Sequence, residues 1–366
     1  MPHATSFKSP LHQMTQTTPT CLWNDSAAEA ELAYAIEHGA VGATCNPVIA
    51  VEVVRKEMAL WAPRIRAIAT ARPTATEGQI AWQVIEDMSA LRAEMLRPIF
   101  DAQRGRNGRL SIQTDPRLFR NGPAILEQAG RFDALAPNMI VKIAATSAGL
   151  WVIEEATARG ISINATVSFS VPQALAVAEA VERGLRRRER DGEDVTRMGP
   201  VCTIMVGRLD DWLKVAADRG QITLDPGHLE WAGVAVFKKA YEIYRARGYR
   251  LRLLSAAFRN HMHWSELIGG DVVISPPYAW QRRFNASDVE VVSRIDTPVD
   301  PAIVAELRRK FEDYRRAYAE DGMAADAFDD FPPTRRTLRQ FSEACHDLER
   351  LVRDLLMPSP DTTIGN

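Results

Sequence analysis

Eight short apolar runs, separated for the most part by longer amphipathic stretches, set the strongest limit on how this chain can fold. They are "TCLWND" (20–25), "GATCN" (42–46), "RLSIQTD" (109–115), "MIVKIAA" (139–145), "SINATVSFS" (162–170), "PVCTIMVG" (200–207), "LRLLSAAF" (251–258) and "DVVISP" (271–276). Their length and enrichment in β-branched residues predict strands. Segments such as 26–39, 147–160 and 170–184 carry a helical period. The last opens on Ser170 with Pro172 just inside and ends at Gly184, as helix boundaries favour. Eight strands with crossover helices in about 280 residues predict an α/β fold, a closed (β/α)8 TIM barrel. A doubly wound open sheet is the alternative, but neither GxGxxG nor GxxxxGK follows any strand.

The barrel is expected over residues 18–285. Residues 1–17, "MPHATSFKSPLHQMTQT", lack the apolar core of a signal peptide and read as a flexible leader. Residues 286–366 are charged, helical in period and broken by "TPVDP" and "FPP", which predicts a helical extension packed on the barrel's outside. The chain has 45 basic and 47 acidic residues, a net charge of −2, so charge gives no reason to expect nucleic acid or a membrane as partner. The run "LRRRERDG" (185–192) reads as a solvated helix end, and no apolar window is long enough to span a bilayer. Cys21, Cys45, Cys202 and Cys345 are far apart and form no CxxC pair, which fits a reducing, cytoplasmic setting.

Lys142 interrupts the fourth run, between Val141 and Ile143. Strand side chains alternate faces, so Lys142 shares a face with Ile140 and Ala144. In the fifth run one face reads Asn164, Thr166, Ser168; in the third it reads Ser111, Gln113, Asp115; and Asp25 closes the first. Parallel barrel strands are normally apolar on both faces, so these polar rows predict a polar interior that opens at the C-terminal mouth. A structural Lys142–Asp25 ion pair is the plain reading, yet buried pairs are rarely the cheapest way to stabilise a core. A lysine desolvated by apolar neighbours has a lowered pKa and, once neutral, attacks a carbonyl to form an imine.

The motifs "ATCNP" (43–47), "VKIAAT" (141–146), "INATVSFS" (163–170), "VGRLDDW" (206–212) and "AAFRN" (256–260) occur in order. Together they resemble the transaldolases and fructose-6-phosphate aldolases, class I Schiff-base enzymes with a (β/α)8 fold, from about residue 20 to about residue 280. The resemblance implies that Lys142 forms the imine and that Asp25 assists proton transfer at the substrate hydroxyl. It assigns Asn46 and Asn164 to substrate hydroxyls, Thr166 to a catalytic water, and Arg208 and Arg259 to a terminal phosphate. Thr203 joins the substrate-binding set. The plain alternatives are surface ion pairs, Arg208 with Asp210 or Asp211 and Arg259 with Glu266.

Three positions depart from the pattern. Gln113 stands where transaldolases carry a proton-relaying glutamate, and glutamine exchanges no proton at neutral pH. Met205 stands where the fructose-6-phosphate aldolases, which share the glutamine, carry a tyrosine. Ala257 replaces a serine of the phosphate pocket.

The expected activity is therefore cleavage of a ketose, with its dihydroxyacetone unit passed to an aldehyde or released free. The expected partner is a small sugar phosphate or other anionic ketose, with no cofactor and no metal. A metal-dependent aldolase using "HMH" (261–263) lacks a third ligand at suitable spacing. A non-catalytic sugar-phosphate sensor would have no need of Lys142. A homodimer through the C-terminal helices is compatible with the pattern and not decided by it.

Overall fold

The computed structural model describes residues 7–361. All eight runs are strands: β1 (Cys21–Asn24), β2 (Ala40–Cys45), β3 (Arg109–Gln113), β4 (Met139–Ala144), β5 (Ile163–Ser168), β6 (Val201–Ile204), β7 (Arg252–Ala256) and β8 (Val273–Ser275). Each pairs in parallel with the next, and β8 returns to β1 through Cys21↔Val273 and Leu22↔Ile274. That closure makes a (β/α)8 barrel and rules out the open sheet.

Face alternation divides the apolar residues into two separate clusters. Trp23, Ile140, Val201, Leu254, Ala256 and Val273 fill the lumen. Val141, Ile143, Ala165 and Cys202 join the larger cluster between strands and helices. Lys142, in phase with Ile140, therefore projects inward above an apolar plug.

Local chemistry sets the connections. Asn46 caps the helix Pro47–Lys56, with Pro47 at its first position, and Thr76 with Gln79 forms a capping box on Glu77–Ala102. The helix begun at Ser170 does not stop at Gly184 but runs through Arg190. A Cβ at position 184 would lie 2.6 Å from Thr157 Cβ and 2.7 Å from Glu154 O. That glycine serves close helix packing rather than termination.

The ends of the chain differ from expectation. Residues 10–17 are a helix, not a flexible leader: Ser9 caps it, and Leu11 and Met14 are fully buried. It packs on the helix Tyr278–Asn285, where Asn285 Oδ1 accepts from Leu11 N. The remaining leader residues, 1–6, lie outside the described residues.

The extension also does more than cover the barrel's outside. Helices Pro301–Lys310 and Glu312–Tyr318 do pack on the jacket. The last helix, Pro332–Leu356, instead crosses the C-terminal mouth, touching β5, the turn after β3 and the helices that follow β2 and β6. Ion pairs Arg117–Glu349 and Arg353–Glu77 lie along it, and its Phe341, Leu348 and Val352 are buried. No helix among the described residues is long and apolar enough to cross a membrane.

Candidate active site

Register brings the polar rows together. Gln113 on β3 pairs with Lys142 on β4, and Lys142 with Asn164 on β5. Lys142 is 3% exposed, and among the described residues no hydrogen bond or ion pair holds its ammonium. Burial lowers its pKa; Asp25 opposes that shift, and Arg208 adds to it. A lysine held this way reaches its neutral, nucleophilic form more readily than one in water.

Asp25, just beyond β1, is half-buried and accepts from Thr44 Oγ1 at 2.6 Å. Thr44 did not emerge from the sequence reading, though it shares a face of β2 with Asn46. Asn46 Oδ1 accepts from Ile49 N at 3.0 Å, so its amide N–H groups are what it has left to offer a ligand. Asn164 is fixed on both sides, donating to Ser111 Oγ (3.0 Å) and accepting from Thr203 Oγ1 (2.7 Å). Thr203 thus orients an amide within the lumen.

Several polar atoms around this space have no partner. Gln113 Oε1, Ser275 Oγ and Arg208 Nε are buried without a hydrogen bond among the described residues. Unmade hydrogen bonds of this kind are costly, and such orphans at a strand-end mouth fit a space meant for a polar ligand or water. Thr166 is buried with Met205 Sδ 4.0 Å from its hydroxyl. A thioether there supplies no proton.

The two arginines behave differently. Arg208 pairs with neither Asp210 nor Asp211. Its Nη1 donates to Gln340 Oε1 at 2.6 Å, and its guanidinium lies over Phe341, both on the last helix. Burial and the nearby Arg259 push it down to about 10, opposed by Asp211 and Asp25. Arg259 is exposed and grips Asp211 with two nitrogens, Nε at 3.0 Å and Nη2 at 2.8 Å. Its partner is therefore Asp211 and not Glu266, which pairs with Lys238. Of the two, Arg208 is the one with no carboxylate partner among the described residues.

The "HMH" histidines face different partners. His261 Nδ1 meets Ser265 Oγ at 3.1 Å, whereas His263 Nε2 lies 2.8 Å from Asp210 Oδ2 and its Nδ1 accepts from Arg259 N at 3.0 Å. Both nitrogens of His263 are committed, which leaves it no lone pair for a metal.

A family model described as Transaldolase/Fructose-6-phosphate aldolase matches residues 22–351. Transaldolase 2 of Streptomyces avermitilis is 32% identical over 210 residues, covering 56% of this chain and 55% of that protein. The transaldolase of Acidothermus cellulolyticus is 32% identical over 212 residues, covering 57% and 55%. Transaldolase 2 of a Nostoc species is 27% identical over 317 residues, covering 77% and 81%. The chain spans about half the length of the first of these curated relatives it matches.

Proposed function

Because the chain belongs to the transaldolase/fructose-6-phosphate aldolase family, we propose that it is a Schiff-base enzyme acting on a phosphorylated ketose. It would pass the dihydroxyacetone unit to an aldehyde acceptor. The observation that carries this reading is Lys142: a buried lysine with no hydrogen bond or ion pair among the described residues, beside Asp25, at the C-terminal mouth.

The steps follow from the groups present. Neutral Lys142 adds to the ketose carbonyl, and loss of water leaves the imine. Asp25, oriented by Thr44, takes the proton of the hydroxyl on the carbon beyond the breaking bond. The bond's electron pair moves into the protonated imine, the aldehyde leaves, and an enamine stays on Lys142. Addition of a second aldehyde followed by hydrolysis completes transfer, whereas protonation followed by hydrolysis releases dihydroxyacetone. Asn46 and Asn164 hold substrate hydroxyls, Thr166 and Gln113 orient the water, and Arg208 with Arg259 receives the terminal phosphate. Release is the second reading, favoured by Gln113 and its unpartnered Oε1.

Product analysis on fructose 6-phosphate, with and without an aldose phosphate acceptor, tests the proposal. A new ketose formed only with acceptor supports transfer, and free dihydroxyacetone supports release. No consumption of any phosphorylated ketose, with or without acceptor, would refute both.

A further inference from the structure

Outside the lumen, one buried polar cluster is left unused by the chemistry above. Asp210 and His263 are both fully buried, and their 2.8 Å contact joins the helix after β6 to the turn after β7. Asp210 Oδ1 also accepts from Gly233 N at 2.8 Å, and His263 Nδ1 from Arg259 N at 3.0 Å. Packing here is close. A Cβ on Gly207 would fall 2.1 Å from Ala257 O and 2.6 Å from Arg259 Cγ, and one on Gly233 2.4 Å from Val206 O. Ala257 takes φ +65°, a left-handed conformation costly for a residue with a Cβ, so something must hold the turn.

The hydrogen bonds determine the tautomer. A backbone N–H only donates, so Nδ1 of His263 carries the lone pair and Nε2 the proton. Only a carboxylate at 210 accepts from both Nε2–H and Gly233 N–H. Arg208 sits two residues before Asp210, and Arg259 four before His263.

We propose that Asp210 and His263 are positioning residues that lock the backbone turn bearing Arg259 against the helix start bearing Arg208, presetting the two guanidiniums for a substrate phosphate. The proposal rests on the anion-binding reading of those arginines. Neither residue touches substrate.

The two nitrogens can be separated by substitution. His263→Asn keeps an acceptor at the Nδ1 position and loses the reach to Asp210. His263→Gln keeps a donor toward Asp210 and loses the acceptor for Arg259 N. Asp210→Asn makes one donor–donor conflict unavoidable, toward either His263 or Gly233, unless the imidazole switches tautomer and surrenders the Arg259 bond.

The test is borohydride trapping read by intact mass, titrated with fructose 6-phosphate and separately with fructose. Wild-type protein should saturate at much lower concentration with the phosphorylated sugar. His263→Gln and Asp210→Asn should raise that half-saturating concentration about tenfold, the size of one hydrogen bond to a charged group. The trapping plateau and the fructose titration should stay unchanged, and His263→Asn should keep wild-type affinity despite a lower melting temperature. Equal shifts in His263→Gln and His263→Asn, equal shifts for both sugars, or no shift would overturn the proposal. So would failure of both His263→Gln and Asp210→Asn to fold, which would assign the pair to stability alone. If wild-type protein does not distinguish the two sugars, the anion site itself is wrong, and the inference falls with it.

Discussion

The two ends of one lumen each carry a buried cation, and they treat it in opposite ways. At the N-terminal end Arg109 is 4% exposed and donates to the carbonyls of Gly105 (2.9 Å), Met139 (3.1 Å) and Arg197 (2.5 Å). Its ring of donors is answered, so it closes the barrel floor. At the C-terminal end Lys142 is as deeply buried, and among the described residues no hydrogen bond or ion pair holds its ammonium. If Lys142 forms the imine as proposed, the same burial is structural where the charge is satisfied and chemical where it is not. On the proposed function, stability sits at the bottom of the barrel and reactivity at the top.

Four substitutions or conditions bear on that contrast. The largest effect is expected from Lys142→Met, which should abolish turnover while leaving the urea midpoint unchanged or higher, because it removes an uncompensated buried charge. A matching drop in stability would put Lys142 in the same class as Arg109. Arg109→Met should do the reverse, costing about 3 kcal/mol of unfolding free energy through lost charged hydrogen bonds, with imine formation intact in the protein that remains folded. Loss of imine formation without loss of stability would erase the distinction between the ends.

Gln113→Glu should raise transfer turnover roughly tenfold at most, by restoring a group that exchanges protons. A fall in turnover would mean that Gln113 is adapted to another step. The smallest effect is in pH dependence. Burial holds the folded pKa of Lys142 below the unfolded value of about 10.4. Between the two the unfolded chain binds more protons, so wild-type stability should rise with pH in that alkaline window. Lys142→Met should lack that increment, and superimposable stability–pH curves would contradict a depressed lysine.

What was legible in the sequence was what local period encodes. Eight strands, their faces and the inward aim of Lys142 follow from alternation at Ile140, Lys142 and Ala144, because a one-residue slip would turn every side chain over. What was not legible depends on which distant groups meet. Asp211 adjoins Arg208 on its own helix but pairs with Arg259, a choice made by the packing of Gly207 against the turn after β7. The last helix shows a strong amphipathic pattern, yet nothing local says that Gln340 and Phe341 reach back over the mouth to Arg208. Residues 10–17 look polar, but Leu11 and Met14, three apart, are enough for one buried stripe. The histidines of "HMH" were conspicuous as metal candidates, and the spacing of His263 four after Arg259 was the overlooked signal.

The most direct measurement of the central claim is borohydride reduction in the presence of fructose 6-phosphate, followed by peptide mapping of the modified lysine. A single reduced adduct on Lys142, absent from Lys142→Met, is the predicted result. An adduct on any other lysine, or one that persists in Lys142→Met, would contradict it.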